Sequence, residues 1–398
     1  MSKGFNKISL TYVAGILLIV AYALDAGYIN KLVPYNNIIK GVLYIIALIC
    51  LIPDICRKNK SDYTEYLLIL TFISYLTIVS IVNSSGILRI LSTCIPIMLF
   101  ATFAQFANKE DSISIMHLWA RVLFILVLID LFTVIVFKNG LYITVHVKKT
   151  YTANWLLGYK TYRATFCLPM LLLFSIEYIG QKQRERLKYI CVAIISILDM
   201  YLSQGTTALL GVSMFVLFAW MVCFDTHVLV KPIQFLITRK TLVYVIFIVV
   251  WVITIIIQDN AVIFGDITTI LNKSETFSGR TYIWKSTIEA VKASNWLGIG
   301  LVGNEVMEAI TGGQVNAHNQ MLTVLLNGGV PLLVIYIVLL LYPTYKVGDT
   351  KTETLYLFYI YSNLLIGLVS AIPTYYAFLY LNLVAMNRVK YFDKESKT

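Results

Sequence analysis

The chain has 398 residues, of which 59% are hydrophobic and only 13% charged, about half the charged share of a soluble globular protein. A mean hydropathy of +0.77 excludes a disordered, collagenous, coiled-coil or soluble-enzyme reading, because a water-soluble domain has no way to hide so much apolar surface. The net charge of +11 points to basic cytoplasmic loops and anionic headgroups, not to nucleic acid, since no dense Lys/Arg run is interleaved with aromatics.

A spanning helix needs roughly 20 mainly apolar residues. Twelve segments qualify: about 8–25, 38–56, 66–82, 87–106, 113–137, 164–180, 189–204, 205–224, 242–258, 330–345, 354–371 and 373–387. The expected fold is all-α, a polytopic transmembrane helical bundle of about 12 spans forming one integral membrane domain over 1–398. Lys3, Lys7 and the motif Ala21-Tyr22-Ala23 imitate a cleavable signal peptide, but with so many later spans the first helix is expected to stay. Pro373 suits the first turn of the last span. Starting with the N-terminus inside, alternate connections collect most of the Lys and Arg, which predicts both termini cytoplasmic.

The cysteines Cys50, Cys56, Cys94, Cys167, Cys191 and Cys223 lie in or beside apolar segments without a CxxC, and read as small buried hydrophobes. Arg89, Arg121, Asp130 and Asp199 fall inside apolar runs. Each costs roughly 2.5–3.5 kcal/mol unpaired at a helix centre, so they should face the bundle interior or find partners. His117 and Arg121 share one helix face.

Two outer loops are long, 138–163 and 259–317, and both are basic against the positive-inside bias. Long outer loops are ordinary and basic residues keep them wet, yet an anionic ligand on that face would account for the excess. In the second loop Trp284, Ile288 and Val291 fall on one face of an amphipathic helix that Ser278 would cap. Such a helix would lie on the bilayer surface with Trp284 at headgroup depth. Arg280 stands in its first turn, where a bound anion would meet both guanidinium and backbone N–H groups. Gly298, Gly300 and Gly303 spell GxGxxG, but between membrane spans they serve a sharp turn or a close approach, not a dinucleotide. Asn316 to Gly329 reads as a short apolar helix closed by glycines, with Pro331 restarting a full span. A half-helix of this kind dips into the membrane where it lines a cavity, with His318 at its mouth. An unperturbed imidazole titrates near ~6.5 and so accepts protons at neutral pH.

In order and spacing these pieces resemble the bacterial O-antigen polymerase/ligase family of membrane glycosyltransferases. The likeness is carried by Arg163-Ala164-Thr165-Phe166-Cys167-Leu168-Pro169, by Leu202-Ser203-Gln204-Gly205-Thr206-Thr207, by Gly279-Arg280-Thr281-Tyr282-Ile283-Trp284 running into Leu297-Gly298-Ile299-Gly300, and by Ala317-His318-Asn319 followed by Gly328-Gly329. It covers about 150–345. The resemblance implies polymerisation of a surface polysaccharide (O-antigen, capsule or exopolysaccharide) from a polyprenyl-pyrophosphate-linked donor to an acceptor sugar hydroxyl. That transfer would occur on the extracytoplasmic face, without metal or cofactor and with inversion. It assigns pyrophosphate binding to Arg280 and Arg163 and the acceptor-activating base to His318, with Asn319, Trp284, Gln204 and Lys285 in support. Many members have Ser-Arg where this chain has Ser203-Gln204, so the second cation is either absent or supplied by Arg163. The implied partners are the lipid-linked oligosaccharide, the bilayer and other polysaccharide-assembly proteins. The competing readings are a ligase of the same family, a flippase for lipid-linked sugars, and a non-catalytic assembly component.

Overall fold

A computed structural model of the chain describes residues 9–57, 63–145, 151–181, 186–224, 236, 239–257, 280–346, 350–368, 370, 376–379 and 381. The apolar runs fold as helices because lipid offers backbone groups no partner, and a helix satisfies them within one segment. In chain order these are α1 (Leu10–Ala23), α2 (Gly27–Leu32), α3 (Asn36–Arg57), α4 (Thr64–Val82), α5 (Ile87–Phe106), α6 (Lys109–Val136), α7 (Ala164–Gln181), α8 (Arg186–Leu202), α9 (Thr206–Phe224), α10 (Lys240–Ile257), α11 (Arg280–Ala293), α12 (Asn304–Thr311), α13 (Gln320–Lys346) and α14 (Lys351–Gly367). Polar residues start them where the apolar runs begin. Ser9 accepts from Tyr12 N at 3.0 Å, Asn108 from Asp111 N at 2.8 Å, and Thr350 with Glu353 forms a capping box.

Among the described residues six helices are long and apolar enough to cross a membrane, within α3, α4, α5, α6, α9 and α13; α1, α7 and α10 contribute shorter apolar stretches. The first eleven expected spans coincide with α1, α3 to α10, α13 and α14. The twelfth, with Pro373 at its start, lies almost wholly outside the described residues, so the count of twelve is not settled. The chain is a multi-pass membrane protein. On α3, Ile38, Val42, Ile45, Ile49 and Ile52 form an exposed stripe, which only lipid can cover at no cost. Four cysteines are buried as expected, but Cys56 and Cys191 are exposed, because they fall on outward-facing helix surfaces.

Of the four charges expected to turn inward, Asp130 and Asp199 do so, while Arg89 and Arg121 are exposed. Asp130 and Asp199, both fully buried, converge on Arg163. His117 meets Glu177 of α7, not Arg121, which is exposed. Composition did not foretell two features of the first long connection. A hairpin, β1 (Tyr142–Val145) and β2 (Tyr151–Asn154), pairs Tyr142 with Asn154. The segment after it is bolted to two helices: Leu157 N donates to Asp130 Oδ1 at 2.9 Å, and Leu156 O accepts from Tyr28 N at 2.9 Å; just beyond it, Thr165 O of α7 accepts from the Tyr22 hydroxyl at 2.7 Å.

The expected half-helix is present. Within α13 the backbone breaks at Gly328 (φ −141°) and Gly329 (φ +64°, ψ −163°). Beyond the break the second part does not continue the line of the first. In a straight helix residues 320 and 336 would lie ~24 Å apart, yet the Gln320 side chain reaches Tyr336, and Met321 faces Ile337 and Leu340 across one crevice. The half-helix therefore folds back on the span that follows. The glycine loop holds the reversal: Ile299 N and Gly300 N donate to Leu326 O and Asn327 O (2.8 and 2.9 Å), and Val330 N donates to Trp296 O at 2.9 Å. Gly298 takes a left-handed φ of +85°, and a Cβ there would stand 2.5 Å from Gly329 N. Gly298 and Gly300 thus serve backbone contact with the break, whereas Gly303 lies against the Arg89 side chain.

Gly329→Ala should unfold this reversal. Its φ is left-handed and a Cβ would drive into the Trp296 carbonyl oxygen. Strain and overpacking together cost at least about 2 kcal/mol. Gly41→Ala, on a helix face with nothing nearby, is the control; equal thermal stability of the two purified variants would refute the backbone-contact account.

Candidate functional site

The start of α11 packs on the turn before α13, and the segment that follows the hairpin comes near enough for its Tyr159 phenol to feel the Arg280 charge. Arg280 opens α11; Ser278, its expected cap, lies outside the described residues. The predicted face of α11 is the buried one, but its burial is against protein. Trp284 and Val291 are fully buried, and the Trp284 indole N–H donates to the Ala317 carbonyl at 3.0 Å. The expectation of Trp284 at headgroup depth is therefore corrected: the ring fills the space under the Ala317–His318 turn, where its single N–H finds a carbonyl. Lys285, on the opposite face, is exposed.

Arg280 is half-buried. Its burial lowers the guanidinium's proton affinity, and the neighbouring Tyr159 phenol works the other way; burial raises Tyr159 while Arg280 opposes that rise. A guanidinium stays charged through such shifts. Among the described residues no carboxylate lies within ion-pair distance of Arg280. A half-buried guanidinium is a favourable partner for a bound anion.

His318 sits in a compact turn. α12 ends at Gly312 in a left-handed cap (φ +70°) whose Cα lies against the Tyr282 ring of α11, and Gln314 N donates to Thr311 Oγ1 at 3.0 Å. His318 itself is left-handed, with φ +49°, a conformation uncommon for a non-glycine residue and held here by its surroundings. Its backbone N–H donates to Asn316 Oδ1 at 2.9 Å, and ring Nε2 lies 3.3 Å from Gln314 Oε1. With Nε2–H donating to that oxygen, Nδ1 is the basic nitrogen.

The next residue, expected in a supporting role, is turned inward. Asn319 is fully buried; its Oδ1 accepts from Leu322 N (3.0 Å) and the Trp251 indole (2.9 Å), and its Nδ2 donates to Leu368 O (2.9 Å). It caps the half-helix and ties it to α10 and α14, so it positions His318 from behind. Below this roof α10, α13 and α14 line an apolar cleft of about 40 Å³.

Arg163 does not join Arg280 as an open cation. It has no exposed surface. Its Nε lies 3.0 Å from Asp130 Oδ2, Nη1 lies 3.5 Å from Asp199 Oδ1, and the guanidinium stacks 4.6 Å above the Trp155 ring. Two buried carboxylates already answer its charge, which corrects its assignment to pyrophosphate. What it does is anchor the segment bearing Tyr159 to α6 and α8. Gln204 is exposed in a left-handed turn (φ +60°), and the next residue, Gly205, packs on the Lys160 carbonyl, where a Cβ would stand only 2.9 Å away. Sequence reasoning missed Tyr159; nothing in a basic, aromatic loop marked which of its residues would come near Arg280.

Residues 191–337 match the family model described as O-antigen ligase. No curated protein and no solved structure matches the chain. The matched stretch takes in the Ser203–Gly205 turn, Arg280, Trp284, the glycine loop, His318 and the helix break, and leaves Arg163 outside.

Proposed function

We propose that this chain, which carries the O-antigen ligase family's region over residues 191–337, polymerises a bacterial surface polysaccharide at the extracytoplasmic end of its bundle. It transfers glycan from a polyprenyl-pyrophosphate-linked donor to a sugar hydroxyl on the acceptor. The observation that carries this reading is a single hydrogen bond. The Trp284–Ala317 contact fastens the helix that begins with Arg280 to the residue preceding His318. A cation and an imidazole thereby share one rigid frame.

The chemistry needs both. The acceptor oxygen attacks the anomeric carbon, the bond from that carbon to the phosphate oxygen breaks, and polyprenyl diphosphate departs with the electron pair. Negative charge grows on the leaving diphosphate, and a fixed guanidinium in a partly dry site stabilises it more than water does. The acceptor hydroxyl loses its proton to His318, whose ring is oriented by Gln314. Attack opposite the departing group inverts the anomeric centre; a retained linkage in the product would contradict that step.

Arg280→Ala should reduce donor use by about 10²–10³-fold, and Arg280→Lys should restore only part of it, since an ammonium lacks the guanidinium fork. Polymer yield in membranes supplied with lipid-linked repeat units reads both. The family model's description favours one second reading, a ligase moving finished glycan to a lipid or protein acceptor. Sizing the surface glycan of cells lacking this chain separates the readings. Single repeat units support the polymerase, long unattached chains the ligase, and lipid-linked units trapped inside a flippase.

A further inference from the structure

We infer that the Tyr282 ring is the floor of a subsite for the acceptor sugar beside His318, completed by the side-chain amides of Gln314 and Asn316. The inference rests on the reading of His318 as the base that serves a sugar hydroxyl, and it names the residues that hold that sugar. The chain from Gly312 to Ala317 crosses the start of α11 and touches it at both ends. At one end a Cβ on Gly312 would stand 2.5 Å from Tyr282 Cε1, and at the other the Ala317 carbonyl accepts from the Trp284 indole at 3.0 Å. Trp284 is fully buried, whereas Tyr282 is 60% exposed. One edge of the tyrosine ring is therefore held by the glycine while most of its surface stays open.

Both amides are oriented by His318. Asn316 Oδ1 takes the His318 backbone N–H at 2.9 Å, and Gln314 Oε1 lies 3.3 Å from ring Nε2. A planar amide that spends its oxygen on one partner directs its NH2 group elsewhere. Gln314 and Asn316 are both half-buried, so these donors lie at the partly open rim around the imidazole. The Gln314 backbone is pinned as well, its N–H donating to Thr311 Oγ1 at 3.0 Å. A sugar has the matching surfaces. Its ring C–H bonds carry slight positive charge and suit the negative face of an aromatic ring, and its hydroxyls accept from amide N–H groups. A tyrosine already held in place supplies that contact at little cost in side-chain freedom.

The test uses the full chain in lipid nanodiscs, supplied with lipid-linked repeat units extracted from cells that lack it, and reads the rate of chain extension as the unit concentration is varied. Tyr282→Leu should raise KM about fivefold with kcat within about twofold of wild type, because the ring holds the acceptor and takes no part in the bond change. Tyr282→Trp should keep KM near the wild-type value. Asn316→Asp retains the acceptor for the His318 N–H, loses the donor, and should raise KM about threefold. Should the leucine variant fail to fold, Tyr282→Met replaces it, since an unbranched thioether fills the space against Gly312 without a flat face. An unchanged KM in the leucine or methionine variant, whether or not kcat and unfolding temperature fall, reduces the tyrosine to packing and overturns the subsite. With Arg280→Ala and His318→Asn still impaired, the proposed function then stands. A rise in KM that disappears in detergent micelles reports a bilayer contact and also overturns the subsite. No chain extension by the wild-type protein overturns both.

Discussion

Replacing His318 with asparagine should lower glycosyl transfer by about 10²–10⁴-fold while the protein still folds and inserts. Asparagine is the informative choice because position 318 is left-handed, with φ +49°, and asparagine tolerates that conformation better than alanine does. A loss of activity then reports the missing base and not a deformed turn. The turn itself is secured by groups that the substitution leaves alone: the Trp284 indole on the Ala317 carbonyl, and the Asn319 side chain on Trp251, Leu322 and Leu368. Trp284 and Asn319 therefore act by positioning, and their removal should lower both activity and stability. The chain length of surface glycan in cells carrying only the asparagine variant is the measurement. Normal length there would end the base assignment.

Arg163→Ala should destabilise the protein by about 3–5 kcal/mol, because it strands Asp130 and Asp199 without a countercharge in a site with no exposed surface. The loss should spread to the segment that Arg163 anchors, making residues 155–163 sensitive to protease. A triple variant, Arg163→Met with Asp130→Asn and Asp199→Asn, should recover much of the stability, since removing both signs together costs less than removing one. Thermal unfolding of purified protein distinguishes this from direct contact with the donor. A substrate-binding arginine would, on alanine replacement, leave the unfolding temperature in place and weaken donor affinity only.

The positions of the helices were legible in advance because hydropathy and length are the physical conditions for spanning a bilayer, and each of them is local. The half-helix closed by Gly328-Gly329 was legible for a related reason: two adjacent glycines before a proline-started apolar run permit a reversal at that spot and little else. The hairpin was missed because its strands are four residues each, too short to show alternation against a basic, aromatic background. α11 was read with its buried face correct and its environment wrong. Periodicity names the face that hides, and it is silent on whether lipid headgroups or a protein core will cover it.

The chain's linear order was thus enough to establish a membrane helix bundle, a basic connection and a histidine at the head of a broken helix, since each depends on near neighbours or on composition. It was not enough to say which arginine stays open. Arg163 and Arg280 look alike as text, each at the start of a helix after a basic stretch. The difference is made by Asp130 and Asp199, which come from two separate helices and converge on Arg163 alone. Whether a charge is answered from within depends on which groups the fold brings within a few ångströms of it, since electrostatic energy in a dry interior falls with distance through space and takes no account of separation along the chain.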